Sequence, residues 1–401
     1  MTFGDLLRTL MKVVRRPVFG TRGPSVLGID FGTSSLKVVQ AYKQGGKAML
    51  ETYGAVALGP YGGVEVGQAT RLSPEQAAAA LTDLFREANV TTRQCAVAIP
   101  LSASLVSFMQ LPEVSENELT TMVPLEARKY IPVPLSEVSL DWMIVPEVPA
   151  AGDRAGGVQE GGAFGDSDAH TPRSASGGAR EAERRSAERV GVLVVAIHNE
   201  ELALYRAIGR AAALAVHFVE VEIFSAVRAV LRQGMEVVLV VDVGGHTTKM
   251  YLVERGIVKG THSINRGSQH ITEALARSLG IPLTEAEELK RSGKIAEKMG
   301  ARTLEELVPT QVDLIFAEIR RLLIQYQHRS LRVVSHAIFI GGGALLPGFL
   351  DRARAVLPTE VSLGDPFQKL EAPAFLEDVL RQAGPEFAVA TGLALRALAE
   401  Q

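Results

Sequence analysis

The chain has 401 residues, of which 47% are apolar, so it exceeds one ordinary hydrophobic core and can fill at least two. Its 42 basic and 45 acidic residues leave a formal charge of -3, which excludes a global electrostatic pull toward nucleic acid. Cys95 is the single cysteine, so an internal disulfide is excluded and a buried thiol in a reducing compartment is expected.

Residues 1–24 stand apart. Phe3, Leu6, Leu7, Leu10, Met11, Val13 and Val14 recur at near-helical spacing among Arg8, Lys12, Arg15 and Arg16, and Pro17 ends the pattern. This reads as a short basic amphipathic helix able to touch an anionic membrane surface. It lacks the unbroken apolar stretch and cleavage site of a secretory signal, and no run in the chain approaches the ~20 apolar residues of a membrane span. A cytoplasmic protein is expected.

Strand patterns follow at Val26–Asp30, Leu36–Tyr42 and Met49–Leu58, then a helix at Ser73–Ala88 with Ser73 as N-cap and Gln76 three residues on. Cys95–Pro100 is strand-like, and residues 101–145 mix both patterns. Residues 146–189 are rich in Gly, Ala, Arg, Glu and Ser and nearly free of large apolar residues, so they cannot offset their ordering entropy and read as a disordered loop. Order is expected again at Gly191–Ile197 (strand), Asn199–Ala213 (helix), Val216–Val221 (strand) and Ile223–Arg232 (helix). Val237–Val241, five apolar residues in a row, suits a strand covered on both faces. Strands at Lys249–Val253 and Ile257–Ile264, helices at Ser268–Leu279, Leu283–Ser292 and Pro309–Ser330, and a strand at His336–Ile340 complete an α/β pattern.

Two segments share one motif. Asp30-Phe31-Gly32-Thr33-Ser34-Ser35-Leu36-Lys37 and Asp242-Val243-Gly244-Gly245-His246-Thr247-Thr248-Lys249 both read Asp-x-Gly-x-x-(Ser/Thr)-x-Lys, each between two strands of a β-meander. Either alone would be an ordinary hairpin; together they point to a duplicated domain with matching loops. Gly32 and Gly244 allow a tight turn whose successive N–H groups can cradle an anion, hydroxyls add donors, and Lys37 adds charge. An aspartate beside phosphate makes sense when Mg²⁺ sits between them, since that ion combines carboxylates, often through water, with phosphate oxygens. Lys249 serves equally well as half of a salt bridge. A third piece, Gly341-Gly342-Gly343-Ala344, follows a buried strand, leaves room for a flat ring, and precedes a helix whose N-terminus could face an anion. No Cys/His cluster has metal spacing and no Ser/His/Asp set stands out.

These three pieces, in this order, resemble the actin-like ATPase superfamily: two phosphate loops, then an adenosine loop. Leu111-Pro112-Glu113, Glu116-Asn117-Glu118-Leu119, the run Glu126–Pro134 and Glu137–Trp142 are similar to the PilM family of type IV pilus assembly proteins, which is related to FtsA. The resemblance implies a two-lobed actin-like fold binding Mg-ATP between the lobes, with Asp30, Gly32, Thr33, Ser34, Ser35, Lys37, Asp242, Gly244, Gly245, Thr247, Gly341, Gly342, Gly343 and Ala344 around the nucleotide and Asp30 and Asp242 near Mg²⁺. Ala286–Lys290 resembles the helix that contacts ribose and adenine, which adds Glu287 and Lys290. Glu222, on the first connecting segment, is the candidate that orients the attacking water; Glu220 reads as a surface glutamate. Ala388, Ala390, Gly392 and Ala394 permit close helix packing at a hinge.

The implied organisation is an extension (1–24), a first lobe (25–94), an inserted subdomain (95–220), a connecting helix (221–236), a second lobe (237–385) and a second connecting helix (386–401). Pro124 is expected to interrupt the helix before Glu126, and His246 to be an exposed turn residue. The implied partner is the cytoplasmic N-terminal tail of a PilN-type bitopic membrane protein, with other pilus platform proteins nearby, and the implied place is the cytoplasmic side of the inner membrane. A small-molecule kinase of the same fold would need a substrate base, and the insert argues against it. An FtsA-like filament would carry an amphipathic anchor beyond the second connecting helix, and none is expected before Gln401.

Overall fold

The computed structural model describes residues 22–145, 189–232, 234–235, 237–293 and 309–401. The amphipathic pattern at 3–16 and nearly all of the 146–189 segment lie outside these residues.

Alternation of apolar residues builds a first meander of β1 (Ser25–Phe31), β2 (Ser35–Gln44) and β3 (Lys47–Ala57). Helix α1 (Pro74–Glu87) follows, and Ser73 and Gln76 form the expected capping box at its start. Strand β4 (Gln94–Ile99) then lies parallel to β1. The chain leaves this sheet to form β5 (Ser104–Pro112), α2 (Glu116–Ala127), β6 (Val138–Val145) and β7 (Arg189–His198). It returns through α3 (Asn199–Ala211) and β8 (Ala215–Val221), which pairs in parallel with β4. The first sheet thus has the order β3-β2-β1-β4-β8, and the excursion is a separate antiparallel sheet, β5-β7-β6.

After α4 (Glu222–Val230) the plan repeats. Strands β9 (Val237–Val243), β10 (Thr248–Glu254) and β11 (Ile257–Ile264) form a second meander. Helices α5 (Ser268–Leu279), α6 (Leu283–Ser292) and α7 (Pro309–Ser330) precede β12 (His336–Ile340), which is parallel to β9. Helix α8 (Phe349–Val356), β13 (Glu360–Leu363), α9 (Glu377–Ala383) and α10 (Ala388–Ala399) complete the described chain. The second sheet reads β11-β10-β9-β12-β13, strand for strand the order of the first.

The two sheets face each other across α4 and α10. Val26, Val39, Ala96 and Ala98 of the first sheet and Val238, Val240, Tyr251 and Ile338 of the second share one core with both helices. Leu27, Ile29 and Val38 point the other way, onto α1 and α3. Leu239, Val241, Met250 and Leu252 do the same onto α5, α7 and α8. Every residue of β9 is therefore buried, as its unbroken apolar run requires.

Close approach within the central layer depends on two glycines. A Cβ on Gly392 would fall 1.9 Å from the Ser225 carbonyl oxygen of α4, and one on Gly28 would fall 2.0 Å from the Ala390 carbonyl oxygen. A buried ion cluster pins the same layer. Glu220, at 6% exposure, accepts from Arg228 at 2.6 Å, from Arg396 at 2.8 Å and from the Ser225 hydroxyl. Burial alone would raise its carboxyl, but Arg228, Ser225 and Arg396 hold it below the usual range.

Four sequence expectations need correction. Glu220 is a buried ion-pair centre and not a surface residue. Helix α2 runs through Pro124 instead of stopping there. The insert is narrower than 95–220, because β4, α3 and β8 belong to the first lobe and the extra sheet consists of β5, β6 and β7. The glycines after β12 lead into a 3₁₀ turn (Gly342–Leu345), and α8 begins only at Phe349, so its N-terminus is not beside them. The packing of the central layer carries a test: Gly392→Ala should lower the unfolding free energy by about 1–3 kcal/mol or more through overpacking, measured by urea denaturation.

Candidate functional site

The eight-residue motif has a geometric reason. Each copy closes the same turn, with the Gly32 N–H donating to Ser35 O and the Gly244 N–H to Thr247 O, both at 3.0 Å. That turn sets the register so that the first and eighth residues oppose each other, and Asp30 pairs across the hairpin with Lys37 as Asp242 does with Lys249. The two turns meet at their tips. A Cβ on Gly245 would fall 2.5 Å from Ser34 Oγ and 3.3 Å from Thr33 Oγ1, so contact there requires a residue without a side chain.

Both hairpins line one cavity of about 280 Å³ between the lobes. Asp30, Gly32, Thr33, Ser34, Ser35 and Lys37 form one wall; Asp242, Gly244, Gly245 and Thr247 form the opposite one. Gly341, Gly342 and Gly343 make the third side. Gly341 has φ +82°, its N–H donates to Pro385 O at 2.8 Å, and a Cβ there would fall 2.4 Å from Asp242 Oδ1. Ala344 does not join them; at 2% exposure it is packed into the core of the second lobe.

On the fourth side α6 supplies Glu287 and Lys290. Glu287 accepts from the Thr272 hydroxyl and Lys290 Nζ, both at 2.6 Å, and from Arg291 Nε at 2.7 Å. Lys290 also donates to Thr272 Oγ1 at 2.8 Å and Ser268 O at 3.2 Å, so its three protons have partners within the protein. Burial holds this lysine below the ordinary range, with Glu287 opposing.

The floor carries most of the charge. Glu222, the first residue of α4, accepts from the Leu101 N–H at 2.6 Å and from Lys249 Nζ at 2.7 Å. Lys249 Nζ lies 3.6 Å from Asp242 Oδ2, and Lys37 Nζ donates to Ser35 Oγ at 2.8 Å. Burial pushes the Asp30 carboxyl up to about 6, against the pull of Lys37 and with the repulsion of Glu222.

Asp30, Asp242 and Glu222 thus outnumber Lys37 and Lys249 by one negative charge, which favours a cation bound with anionic ligand oxygens. Among the described residues no group of three or more His, Cys, Asp or Glu side chains converges as a metal cage. A cation here would therefore complete its shell with water and ligand oxygens, which is how Mg²⁺ is usually held.

Sequence reasoning gave Lys249 no firm place in the site and missed Gly67, Ser268, Arg291 and Glu386, which also line the cavity. The repeat itself pointed to Lys249. Gly67 lies in the connection before α1, where no motif marks it; a Cβ there would fall 2.8 Å from the Glu287 carboxylate across the cleft. Nearby, Glu65 accepts from the Thr284 N–H at 3.1 Å and Gln269 from the Ala69 N–H at 2.8 Å, so this connection bridges the lobes. His246 is exposed, as expected, and its ring lies 5.3 Å from that of His270.

Residues 28–157 and 180–398 match the family described as Type IV pilus assembly protein PilM. A solved PilM-PilN type IV pilus biogenesis complex is similar with a TM-score of 0.71 and 25% identity, over 93% of this chain and 98% of that one. The ethanolamine utilization protein EutJ from Carboxydothermus hydrogenoformans shares the fold, with a TM-score of 0.51 and 16% identity over 98% of this chain and 96% of that one. Cell division protein FtsA of Agrobacterium fabrum is 28% identical over 176 residues, which is 38% of this chain and 38% of the relative's own length.

The raised Asp30 carboxyl gives a pH prediction for the ligand-free protein. A carboxyl that titrates higher folded than unfolded costs nothing below about pH 4 and lowers stability as pH rises through about 6. Asp30→Asn removes that penalty. It should raise the melting temperature at pH 8, by the equivalent of about 2–3 kcal/mol, and leave it nearly unchanged at pH 4, as read by calorimetric scans.

Proposed function

This chain belongs to the PilM family of type IV pilus assembly proteins and has a two-lobed actin-like fold; on that premise we propose that it binds Mg-ATP between its lobes and holds the cytoplasmic N-terminal tail of a PilN-type bitopic membrane protein. One observation carries the nucleotide half: the duplicated hairpins face each other across a single cavity with their Asp–Lys pairs in the same register. Turn N–H groups, Thr33, Ser34, Ser35, Thr247 and Lys37 would take the phosphates. Asp30 and Asp242 would hold Mg²⁺ through water, and that ion would neutralise phosphate charge. Gly341–Gly343 leave a bare backbone surface for the base, with Glu287 and Lys290 beside the sugar. Glu222, at the head of α4 and on the cavity lining, is the candidate to orient a water. The cavity, at about 280 Å³, is close to the lower end of the ~300–1,000 Å³ usual for small-molecule sites.

The partner half rests on a second cavity of about 630 Å³, where the outer face of β6 and β7 meets β8, α4 and the β10–β11 turn. Met143, Val145, Leu193, Val195, Phe224 and Ile257 give it an apolar lining. Strand β6 is an edge of its sheet, and Met143 and Ile144 on it are exposed at 58% and 43%. An edge strand beside an apolar groove suits an extended peptide, bonded by its main chain and read through alternate side chains. No helix among the described residues is long and apolar enough to cross a membrane, and in this reading membrane attachment is supplied by the partner. The two sites share α4: Glu222 lines the nucleotide cavity, while Phe224, Val227 and Arg228 line the groove. Movement of α4 would then couple the ligands, and coupling must be reciprocal.

Asp30→Ala and Asp242→Ala should each weaken Mg-ATP binding at least tenfold in calorimetry and affect metal-free ATP less; equal Mg-ATP affinity in all three proteins would rule the assignment out. At ATP near 100 times its dissociation constant the wild type should gain about 2.7 kcal/mol of stability. For the groove, Met143→Glu changes an exposed residue and should reduce affinity for a PilN-type tail peptide at least tenfold with an unchanged melting temperature. Mg-ATP and peptide should alter each other's affinity by one common factor. Failure of every such tail to bind would remove the partner half.

A further inference from the structure

Lys249 has no task in the nucleotide reading, yet its partners are two of the carboxylates that reading uses. Its ammonium lies 2.7 Å from Glu222 Oε2 and 3.6 Å from Asp242 Oδ2. The Leu101 N–H takes the other Glu222 oxygen at 2.6 Å. Lys249 belongs to β10 of the second lobe, Glu222 to the start of α4, and all three side chains are largely buried, at 16%, 7% and 11% exposure for Lys249, Glu222 and Asp242. Glu222 and Asp242 hold the lysine firmly charged although burial opposes it. The equivalent lysine of the first hairpin, Lys37, instead donates to Ser35 Oγ at 2.8 Å. Two lysines at one motif position have therefore taken different partners.

We propose that Lys249 restrains ATP hydrolysis by holding Glu222, so that the protein remains loaded with ATP instead of turning it over. The inference rests on the nucleotide reading above. In hydrolysis a water oxygen forms the new bond to the γ-phosphorus, the bond from that phosphorus to the β–γ bridging oxygen breaks, and ADP leaves with the electron pair. One water proton must pass to a base. Glu222 is the cleft carboxylate at the head of α4, but a donor on each oxygen pins its orientation and leaves only one lone pair per oxygen to meet a water. Taking up the proton would also break this ion pair and leave the buried ammonium of Lys249 only its longer contact with Asp242, at 3.6 Å. Lys249 acts through Glu222 and is a positioning residue in a negative sense: it keeps a competent base occupied.

The test uses the full chain. Lys249→Met keeps the stem and removes the charge, Lys249→Gln serves if that variant does not fold, and Lys249→Arg restores the charge. ATP affinity is read by calorimetry, folding by melting temperature, and chemistry by single-turnover hydrolysis across pH. Lys249→Met should bind ATP within about threefold of wild type and hydrolyse it at least tenfold faster, with a rate that rises through one deprotonation. Lys249→Arg should remove the gain, and so should adding Glu222→Gln to Lys249→Met. In the ligand-free protein the melting shifts of the two single variants should not add in the double variant, since the pair is in contact. Unchanged hydrolysis in Lys249→Met with ATP bound would overturn the proposal, as would a gain that survives Glu222→Gln. Loss of ATP affinity in Lys249→Met at an unchanged melting temperature would make Lys249 a phosphate ligand, and also overturn it. Absence of ATP binding to the wild type would instead sink the nucleotide reading itself.

Discussion

The contact between α4 and α10 is the constraint on which the rest of this molecule hangs. The two helices pack on each other, and their buried residues share one core with residues of both sheets. The layer is thin because Gly392 lets the Ser225 carbonyl approach and Gly28 lets α10 lie directly on β1. Thin packing places the C-terminal ends of β1 and β9 close enough for Asp30 and Asp242 to share a cavity. It also brings Arg228 and Arg396 onto Glu220, so the joint is tied by charge as well as by fit. A bulkier side chain in this layer would move two lobes, one cavity and one groove together.

Within the cavity, the folded chain accepts an electrostatic cost. Asp30, Glu222, Asp242, Glu287 and Glu386 share the lining with Lys37, Lys249, Lys290 and Arg291, and burial raises the Asp30 carboxyl. Function sites commonly store such perturbations. The arrangement favours whatever brings positive charge to Asp30 while offering oxygens to the turns, which is the chemistry of a metal-bound phosphate. The groove on the other side of α4 has the opposite character: apolar walls, an open strand edge, and arginines already committed to Glu220.

Much of this was legible in the residues. The Asp-x-Gly-x-x-(Ser/Thr)-x-Lys repeat encodes both turn and register, so a motif read along one dimension carried the three-dimensional pairing of Asp30 with Lys37 and Asp242 with Lys249. The unbroken run Val237–Val241 stated that β9 has no solvent face. The small residues of α10 stated that something passes close to it. Other features had no local signature. Glu220 and Glu222 are two residues apart with the same side chain, and only the packing of Arg228 and Arg396 separates a structural glutamate from one in the cleft. The insert's limits were misjudged because β4 and β8 look like any short strands until their pairing with each other is known. Ala344 follows three glycines that line the cavity, and the tight 3₁₀ turn carries it inward instead.

The connection before α1 has a kinetic meaning. Glu65 and Ala69 bond to the second lobe, Gly67 lies against Glu287, and Ser34 abuts Gly245. These contacts join the lobes on the side of the cleft where Gly67 and Glu287 line it. A ligand held between the lobes would leave as these contacts separate, so its dwell time would follow the frequency of that opening. Lengthening or loosening the connection would then shorten how long the protein keeps what it last bound.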